Sequence, residues 1–332
     1  MSRTRLLSLL AALAALLLVL GACADDDADQ AAEQAEEDDA PLALDDDGDD
    51  DGDDEAVADD ADDATEEDEA AEEAEEAGDV DLAASVNQYA STLPDGWMMI
   101  READELNDAM QVDGAVVIDV RNPEDYEEGH IPGAVNIPIR ELPDNLNSIP
   151  TDSPVWIVCQ TGWRTGMAVS SLRMMGYDNV EGWANEFPAW EEAGYEIETG
   201  EGAALEDFGE PDLEPELVEA VGQFLSTLPD GWLLVREVDE VMDAVDAGAV
   251  LLDVRDIENF EEGTVEGALE VPIRELGSPD LDIPADSNVI VYCQSGWRTS
   301  LAVPILHVLG YDNVLGYPGH FDTFESLGAV TS

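Results

Sequence analysis

Two cysteines open segments of almost identical sequence. Residues 159–165 read Cys-Gln-Thr-Gly-Trp-Arg-Thr, and residues 293–299 read Cys-Gln-Ser-Gly-Trp-Arg-Thr. Each segment follows a short apolar run typical of a buried strand and precedes a helical pattern. A glycine-containing loop at such a junction can turn successive backbone N–H groups toward one point, and the helix dipole adds partial positive charge there. A thiolate at the start of the loop is thereby stabilised, so the pattern predicts two nucleophilic cysteines, Cys159 and Cys293.

The other residues of the two loops are candidates for binding an anion beside each thiolate. Arg164 and Arg298 lie five residues after their cysteines and carry a charge that no ordinary pH removes. Gly162 and Gly296 supply backbone freedom that a Cβ would obstruct. The predicted binding residues are Gln160, Thr161, Gly162, Trp163, Arg164 and Thr165 in the first loop and Gln294, Ser295, Gly296, Trp297, Arg298 and Thr299 in the second.

Each cysteine also has a structural alternative. A strand-end cysteine is often an apolar filler, and an exported protein could join Cys159 to Cys293 in a disulfide. The repetition of Cys, Gly and Arg at one spacing favours a reactive thiol. A disulfide would need the two Cα atoms within about 7 Å, which equivalent loops at the ends of separate sheets seldom achieve.

Polar residues outside the loops are assigned structural roles. His130 is expected to be a hydrogen-bonding residue and not a base, because a thiolate nucleophile needs no base beside it. Asp119 with Arg121, and Asp253 with Arg255, are expected to brace the loops. The two loop tryptophans could line the mouth of a pocket or cover apolar surface.

The elements that carry these loops follow an alternating order. Residues 115–120, 155–159, 250–254 and 289–293 are short apolar runs rich in Val and Ile, as expected of strands buried on both faces of a parallel sheet. Helical patterns cover residues 103–110, 139–146, 165–175, 184–193 and 299–309. This order predicts an α/β fold with a central parallel sheet flanked by helices, and it places both cysteines where such sheets bind ligands.

The chain contains a duplication. Ser-Thr-Leu-Pro-Asp-Gly-Trp at 91–97 recurs at 226–232, and Gly-Tyr-Asp-Asn-Val at 176–180 recurs at 310–314, with offsets of 135 and 134 residues. A period this long indicates a duplicated domain and not a solenoid. The predicted organisation is a signal peptide at 1–22, an acidic tether at 23–80, a first domain at 81–200, a linker at 201–215 and a second domain at 216–332.

Charge excludes several classes of function. With 81 acidic and 11 basic residues, the net charge of −70 excludes a nucleic-acid binder, because polyanions would be repelled. The three histidines, His130, His307 and His320, show no zinc-ligand spacing, so no metal site is expected. Residues 24–80 hold 31 acids and no base, which predicts a disordered, extended tether. All 11 bases are Arg, and this lysine-free acidic composition is interpreted as halophilic, an adaptation to concentrated salt. The alternative is compositional drift in a GC-rich genome, which also favours Arg and Ala.

The N-terminus has the features of an export signal. Arg3 and Arg5 precede an apolar run over residues 6–20, which is too short for a comfortable membrane span. The run ends in Leu-Gly-Ala-Cys23, which resembles the lipobox of bacterial lipoproteins. We expect Cys23 to be lipidated and to anchor the exported protein at the extracytoplasmic face of the cell membrane. The alternative is ordinary signal cleavage close to a cysteine that occurs there by chance.

Taken together, the motifs resemble those of a tandem rhodanese-like (sulfurtransferase) protein. The first copy has Asp-Val-Arg at 119–121, Glu-Gly-His-Ile-Pro-Gly-Ala at 128–134, the Cys-x-x-Gly-x-Arg-Thr loop, and Gly-Tyr-Asp-Asn-Val before the helix with Trp190. The second copy has equivalents at 253–255, 262–268, 293–299 and 310–314, with Thr264 and Glu266 in place of His130 and Pro132. The resemblance covers nearly all of residues 81–332.

The resemblance implies an enzyme without a cofactor. A sulfur anion such as thiosulfate, or a persulfide or polysulfide, would donate sulfane sulfur to Cys159 or Cys293. The resulting persulfide would pass the sulfur to cyanide or a thiol. Phosphatases and arsenate reductases of this fold use a loop one residue longer, so the six residues from Cys to Arg favour sulfur over phosphate. The alternative is a non-catalytic binding or thiol redox-sensing module at the cell surface. Thiols outside the cytoplasm also need protection from oxidation, either by persulfide formation or by a thiol-reductase partner.

Overall fold

The structure is a computed structural model that describes residues 81–331. The predicted signal peptide, the Cys23 lipidation site and the acidic tether lie outside the described residues. All described residues belong to one compact unit. Within them, every helix is too short or too polar to cross a membrane.

The first copy of the repeat contains a parallel sheet with helices on both faces. Its elements, in chain order, are α1 (Leu82–Ser91), β1 (Met99–Ile100), α2 (Ala103–Ala109), β2 (Val116–Asp119), α3 (Pro123–Glu128), β3 (Val135–Asn136), a 3₁₀ helix (Ile139–Ser148), β4 (Val155–Val158), α4 (Trp163–Met175), β5 (Val180–Trp183) and α5 (Pro188–Glu192). The sheet order is β1-β5-β4-β2-β3, and all the pairs are parallel. The predicted α/β fold is confirmed, because the apolar runs form its buried central strands.

The second copy repeats this plan after a linker. Its elements are α6 (Pro215–Ser226), α7 (Val238–Asp246), β6 (Val250–Asp253), α8 (Ile257–Glu262), β7 (Thr264–Val265), β8 (Leu269–Glu270), a 3₁₀ helix (Ile273–Glu275), β9 (Val289–Tyr292), α9 (Trp297–Val308), β10 (Val314–Gly316), α10 (Asp322–Leu327) and β11 (Val330–Thr331). The parallel order β10-β9-β6-β8 matches the β5-β4-β2-β3 part of the first sheet. A separate antiparallel pair joins β11 to β7.

Two predicted helices differ in the structure. Residues 139–146 lie in a 3₁₀ helix, because Pro143 within the segment cannot donate an α-helical hydrogen bond and Asn145 leaves helical geometry. The helix predicted over 184–193 is confined to α5, which begins at Pro188, a residue suited to the first helical position.

The two copies pack on each other through equivalent residues. Helix α4 lies against α9, and a methyl group added at Gly166 would meet the Oγ of Ser300, the residue at the equivalent position in the second copy. The Trp163 ring lies beside Gly316 in β10, while the Trp297 ring lies beside Gly182 in β5. Because each tryptophan makes the same contact in the opposite direction, the junction is reciprocal.

The first helix of each copy crosses to the other copy. Helix α1 packs against the 3₁₀ helix at Ile273–Glu275 and against α9. Helix α6 packs against the 3₁₀ helix at Ile139–Ser148 and against α4. Each chain segment then returns, through the repeated Leu-Pro-Asp-Gly-Trp sequence, to the sheet of its own copy. The two copies therefore share elements on both sides of the junction.

The strand glycines of the junction have no room for a side chain. A Cβ at Gly316 would lie 2.2 Å from the Trp163 ring, so we expect Gly316→Ala to lower the free energy of unfolding by about 1–3 kcal/mol through overpacking. Urea denaturation measures the change. Gly96→Ala is the control, because a methyl there meets nothing within 4 Å, and its effect should stay below about 0.5 kcal/mol. Equal effects of the two substitutions would contradict the close packing of the Trp163 ring on Gly316.

Candidate active site

Both cysteines lie at the carboxyl end of a central strand. Cys159 follows β4 and Cys293 follows β9, and a loop of three further residues leads into α4 or α9. The loops turn at Gly162, with φ of 81°, and at Gly296, with φ of 85°. Residues with a side chain rarely adopt these backbone angles, so glycine is what allows so short a loop to lead into the helix.

The thiol sulfurs accept backbone hydrogen bonds from their own loops. The Thr165 N–H donates to the Cys159 Sγ over 3.4 Å, and the Gly296 N–H donates to the Cys293 Sγ over 3.2 Å. Both residues are 1% exposed, and neither thiol forms a disulfide. The disulfide alternative is therefore absent from this structure, and the inward-pointing N–H groups are placed to stabilise a thiolate.

A buried hydroxyl in each loop has no hydrogen-bond partner within the described part of the chain. The Oγ1 atoms of Thr165 and Thr299 are both in this state, although both residues are fully buried. The Thr165 methyl lies beside Gly182 and the Thr299 methyl beside Gly316, which holds each side chain in one orientation. A buried hydroxyl without a partner costs free energy, so each loop has a donor available to a ligand.

Buried ion pairs brace the loops, as the sequence predicts. Arg121 binds the Asp119 carboxylate at 2.6 Å and donates to the Gly129 carbonyl, also at 2.6 Å. Arg255 repeats this with Asp253 at 2.7 Å and with the Gly263 carbonyl. Both pairs are almost fully buried, and their double hydrogen bonds hold the segment beside each strand in place.

His130 is a structural residue, as expected. Its Nδ1 lies 2.8 Å from the Tyr126 carbonyl, its ring stacks on Tyr126, and it is fully buried. In the second copy Thr264 takes this position, and the Tyr292 hydroxyl donates to Asp253 over 2.7 Å. Burial, together with the neighbouring Asp253 carboxylate, raises the pKa of Tyr292 well above its ordinary value, so Tyr292 stays a hydrogen-bond donor.

Two arginines in each copy stack on a tryptophan of the other copy. The guanidinium carbons of Arg164 and Arg140 lie 4.9 Å and 4.4 Å from the centre of the Trp232 ring. The second copy is equivalent, because Arg298 and Arg274 lie 5.2 Å and 4.4 Å from the Trp97 ring. A cation–π contact holds a guanidinium group by its face, so its N–H groups still donate in the plane of the group.

The covering tryptophans are presented by strained turns. Trp97 and Met98 have φ of 54° and 53°, and Trp232 and Leu233 have φ of 56° and 55°. Two successive non-glycine residues at positive φ are costly and persist only where the surroundings enforce them. A hydrogen bond between copies contributes to this, because the Trp163 Nε1–H donates to the Trp232 carbonyl and the Trp297 Nε1–H donates to the Trp97 carbonyl, each over 2.8 Å.

Four residues of this arrangement were not predicted as site residues. They are the covering tryptophans Trp97 and Trp232, and the additional arginines Arg140 and Arg274. The sequence did contain a sign of them, because the two tryptophans recur at the repeat offset and so do the two arginines. The arginines lie within Pro-Ile-Arg-Glu-Leu at 138–142 and 272–276. What the sequence could not show is that each tryptophan covers the loop of the opposite copy.

One cleft of about 270 Å³ borders both loops. It is lined from the first copy by Arg101, Thr161, Gly162, Trp163, Ala184 and Glu186, and from the second by Leu234, Arg236, Ser295, Gly296, Trp297, Ser300 and Pro318. The loop tryptophans thus both line the cleft mouth and pack against the other copy. No cluster of potential metal ligands occurs within residues 81–331.

Comparison with known proteins identifies similar domains in both copies. A family model for the rhodanese-like domain matches residues 102–193 and 237–327. The thiosulfate sulfurtransferase GlpE of Pseudomonas entomophila is 33% identical over 96 residues, which cover 29% of this chain and 87% of that enzyme. YqhL of Bacillus subtilis, an uncharacterised protein, is 42% identical over 76 residues, and the chain spans 60% of its length. The crystal structure of SseA from Escherichia coli, a 3-mercaptopyruvate sulfotransferase, matches with a TM-score of 0.34 at 22% identity, covering 68% of this chain and 98% of SseA.

The covering contacts predict a crosswise effect of substitution. We expect Trp232→Ala to accelerate alkylation of Cys159 by iodoacetamide about threefold or more, the equivalent of the roughly 0.5–1 kcal/mol that an exposed cation–π contact contributes. Cys293 should react at its original rate. Trp97→Ala is the matched variant and should act on Cys293 alone. Peptide mass spectrometry separates the two thiols, and an effect of either variant on its own copy would contradict the crosswise arrangement.

Proposed function

The chain belongs to the rhodanese-like domain family, and from that membership we propose that it is a sulfurtransferase. In this proposal Cys159 and Cys293 each accept sulfane sulfur from thiosulfate, or from a persulfide or polysulfide donor. They then transfer that sulfur to a thiophilic acceptor such as cyanide or a thiol. The residues named in the two loops bind the donor, and the chemistry needs no cofactor because the protein's own thiol carries the sulfur.

The proposed reaction has two balanced steps. The cysteine thiolate attacks the sulfane sulfur of thiosulfate, an S–S bond forms to the cysteine, and the original S–S bond breaks as sulfite leaves with the electron pair. The persulfide then gives its outer sulfur to cyanide, forming thiocyanate and restoring the thiolate. The cycle consumes no external oxidant or reductant when cyanide is the acceptor.

One observation carries the proposal: each copy keeps a free thiol whose sulfur accepts a loop N–H, beside a buried hydroxyl that has no hydrogen-bond partner among residues 81–331. A persulfide adds one sulfur atom to the thiol and carries negative charge. The inward N–H groups and the hydroxyls of Thr165 and Thr299 can donate hydrogen bonds to that charge. An apolar filler cysteine would need none of these donors.

The arginines support an anionic donor. Arg164 and Arg298 follow the loops, Arg140 and Arg274 stack on the same covering tryptophans, and the rest of the protein is strongly acidic. Local positive charge is needed to bind an anion at a site within an acidic protein. A thiol-reductase partner remains part of the proposal, because exported thiols oxidise unless they are reduced or loaded with sulfur.

Cysteine substitution tests the proposed activity. We expect Cys159→Ser combined with Cys293→Ser to abolish cyanide-dependent thiocyanate formation from thiosulfate, since both sulfur carriers are lost. Each single variant should retain the activity of the remaining site. Cys23→Ser is the control and should retain full activity. Full activity in the double variant would refute the proposal, and inactivity of the unaltered chain with free thiols would favour the alternative, a binding or redox-sensing module.

We also propose that the protein is exported and held at the extracytoplasmic face of the cell membrane through lipidated Cys23. The support is the charged start, the apolar run and the Leu-Gly-Ala-Cys sequence. In cell fractionation, the unaltered protein should sediment with membranes and the Cys23→Ser variant should be released. Retention of the variant in the membrane fraction would contradict lipid anchoring at this residue.

A further inference from the structure

The two sites differ at one charged position. Asn122 follows the bracing Arg121 in the first copy, and Asp256 follows the equivalent Arg255 in the second. Both residues precede a short helix as its N-cap, yet neither side chain makes a capping hydrogen bond. The carboxylate of Asp256 is therefore available for contacts that the neutral Asn122 cannot reproduce.

In the second copy the single carboxylate of Asp256 forms an ion pair with each of the two arginines that stack on Trp97. Its Oδ2 lies 2.8 Å from Nη1 of Arg298, and its Oδ1 lies 3.3 Å from Nη1 of Arg274. The Arg298 side chain is only 11% exposed and Asp256 is 33% exposed, so solvent screens this pair less than a surface ion pair. A donor anion that reaches Arg298 must displace the carboxylate or lie beside it.

In the first copy the equivalent arginine has no such partner. Among residues 81–331, no carboxylate oxygen lies within 4.0 Å of the Arg164 guanidinium. Arg140 pairs with Asp230 at 2.9 Å, but Asp230 is fully exposed, and the equivalent pair of Arg274 with Asp95 occurs in the second copy. Because each copy has one such exposed ion pair, the pairs do not make the local charge of the two sites different. Exposed ion pairs are also weak.

One further carboxylate lies near the first loop. Glu186 lines the cleft, and its equivalent in the second copy is His320. Glu186 is exposed and makes no ion pair with the site arginines within the described chain, so its charge is screened by solvent. Asp256, by contrast, contacts the arginines directly. The net local charge is therefore more positive around Arg164 than around Arg298.

We propose that the two sites are specialised by charge: Cys159 takes sulfur from a dianionic donor such as thiosulfate, and Asp256 weakens the binding of such donors at Cys293. This inference rests on the proposed sulfurtransferase function and assigns the anionic substrate to one of its two sites. At Cys159 the thiolate takes the outer sulfur and sulfite leaves with the bonding electron pair. In this proposal Arg164, which has no carboxylate partner among residues 81–331, binds the oxyanion end of the donor bidentately. The second site suits donors or acceptors of lower negative charge.

The first experiment measures the saturation of each site by thiosulfate. Cys293→Ser leaves only the first site, Cys159→Ser leaves only the second, and Asn122→Asp or Asp256→Asn is added to the respective background. We expect a KM for thiosulfate at least about tenfold lower at Cys159 than at Cys293, the size expected for one charge-assisted contact. Asn122→Asp should raise the KM of the first site, and Asp256→Asn should lower that of the second. Equal values, or no response to either exchange, would overturn the proposal.

A second experiment tests the charge difference without sulfur transfer. Iodoacetate and iodoacetamide alkylate thiols by the same reaction, but iodoacetate is anionic and iodoacetamide is neutral. In the unaltered chain, the ratio of the two rates should be higher at Cys159 than at Cys293, and Asp256→Asn should raise the ratio at Cys293. Because both thiols lie in one molecule, the overall charge affects both rates.

The two experiments separate failure of this inference from failure of the proposed function. Absence of thiocyanate formation with the expected alkylation ratios would refute the sulfurtransferase activity and leave the charge difference standing. Active sites with equal alkylation ratios would refute the specialisation by charge. A Cys159 that neither reagent modifies would also refute it, because a thiosulfate of similar size would not reach that thiol.

Discussion

The reciprocal packing of the two loop tryptophans is the interaction on which the rest of the site depends. Trp163 and Trp297 each begin the helix that follows a cysteine loop, and each inserts its ring beside a strand glycine of the other copy. The indole N–H of each then holds the strained turn that carries Trp232 or Trp97. Without this packing, the turns would lose the partner that stabilises their positive φ angles. The loop tryptophan of each copy thus holds the tryptophan of the other copy that stacks on its own copy's arginines.

The chain has few basic residues, and most of them lie where they add positive charge near the two loops. Arg3 and Arg5 precede the described residues, and of the nine other arginines eight form four pairs related by the repeat. These pairs are Arg101 with Arg236, Arg121 with Arg255, Arg140 with Arg274, and Arg164 with Arg298. One pair braces the loops, two pairs stack on the covering tryptophans, and one pair lines the shared cleft. Positive charge is therefore concentrated at the loops of a protein whose net charge is −70. The single exchange of Asn122 for Asp256 alters that balance at one site.

The sequence predicted the local features of the fold better than the relation between the copies. Short apolar runs predicted the central strands, since strands buried on both faces leave a pattern that needs no knowledge of distant contacts. The Asp-Val-Arg segments predicted the bracing pairs for a similar reason, as both partners lie two residues apart. The 3₁₀ helix at Ile139–Ser148 was missed because Pro143 breaks the helical hydrogen-bond pattern that the apolar spacing suggested. In each case the outcome followed from nearby residues.

The crosswise cover could not be predicted, because both copies have the same sequence pattern and nothing in it shows which copy a helix packs against. The repeated Leu-Pro-Asp-Gly-Trp segment was visible, but its contact with the opposite loop depends on the packing of α4 on α9. Gly182 and Gly316 were the available hint, since glycine within a strand often marks the close approach of another group. A glycine cannot indicate what approaches, and here the approaching group comes from the other half of the chain.

The central claim is that Cys159 and Cys293 carry sulfur, and intact mass spectrometry tests it most directly. The purified chain in high salt is measured before and after treatment with thiosulfate, with polysulfide as a second donor. We expect a mass gain of one sulfur atom at a loop cysteine, which cyanide or dithiothreitol removes. No gain with either donor, while alkylation shows that both loop thiols are free, would contradict the account.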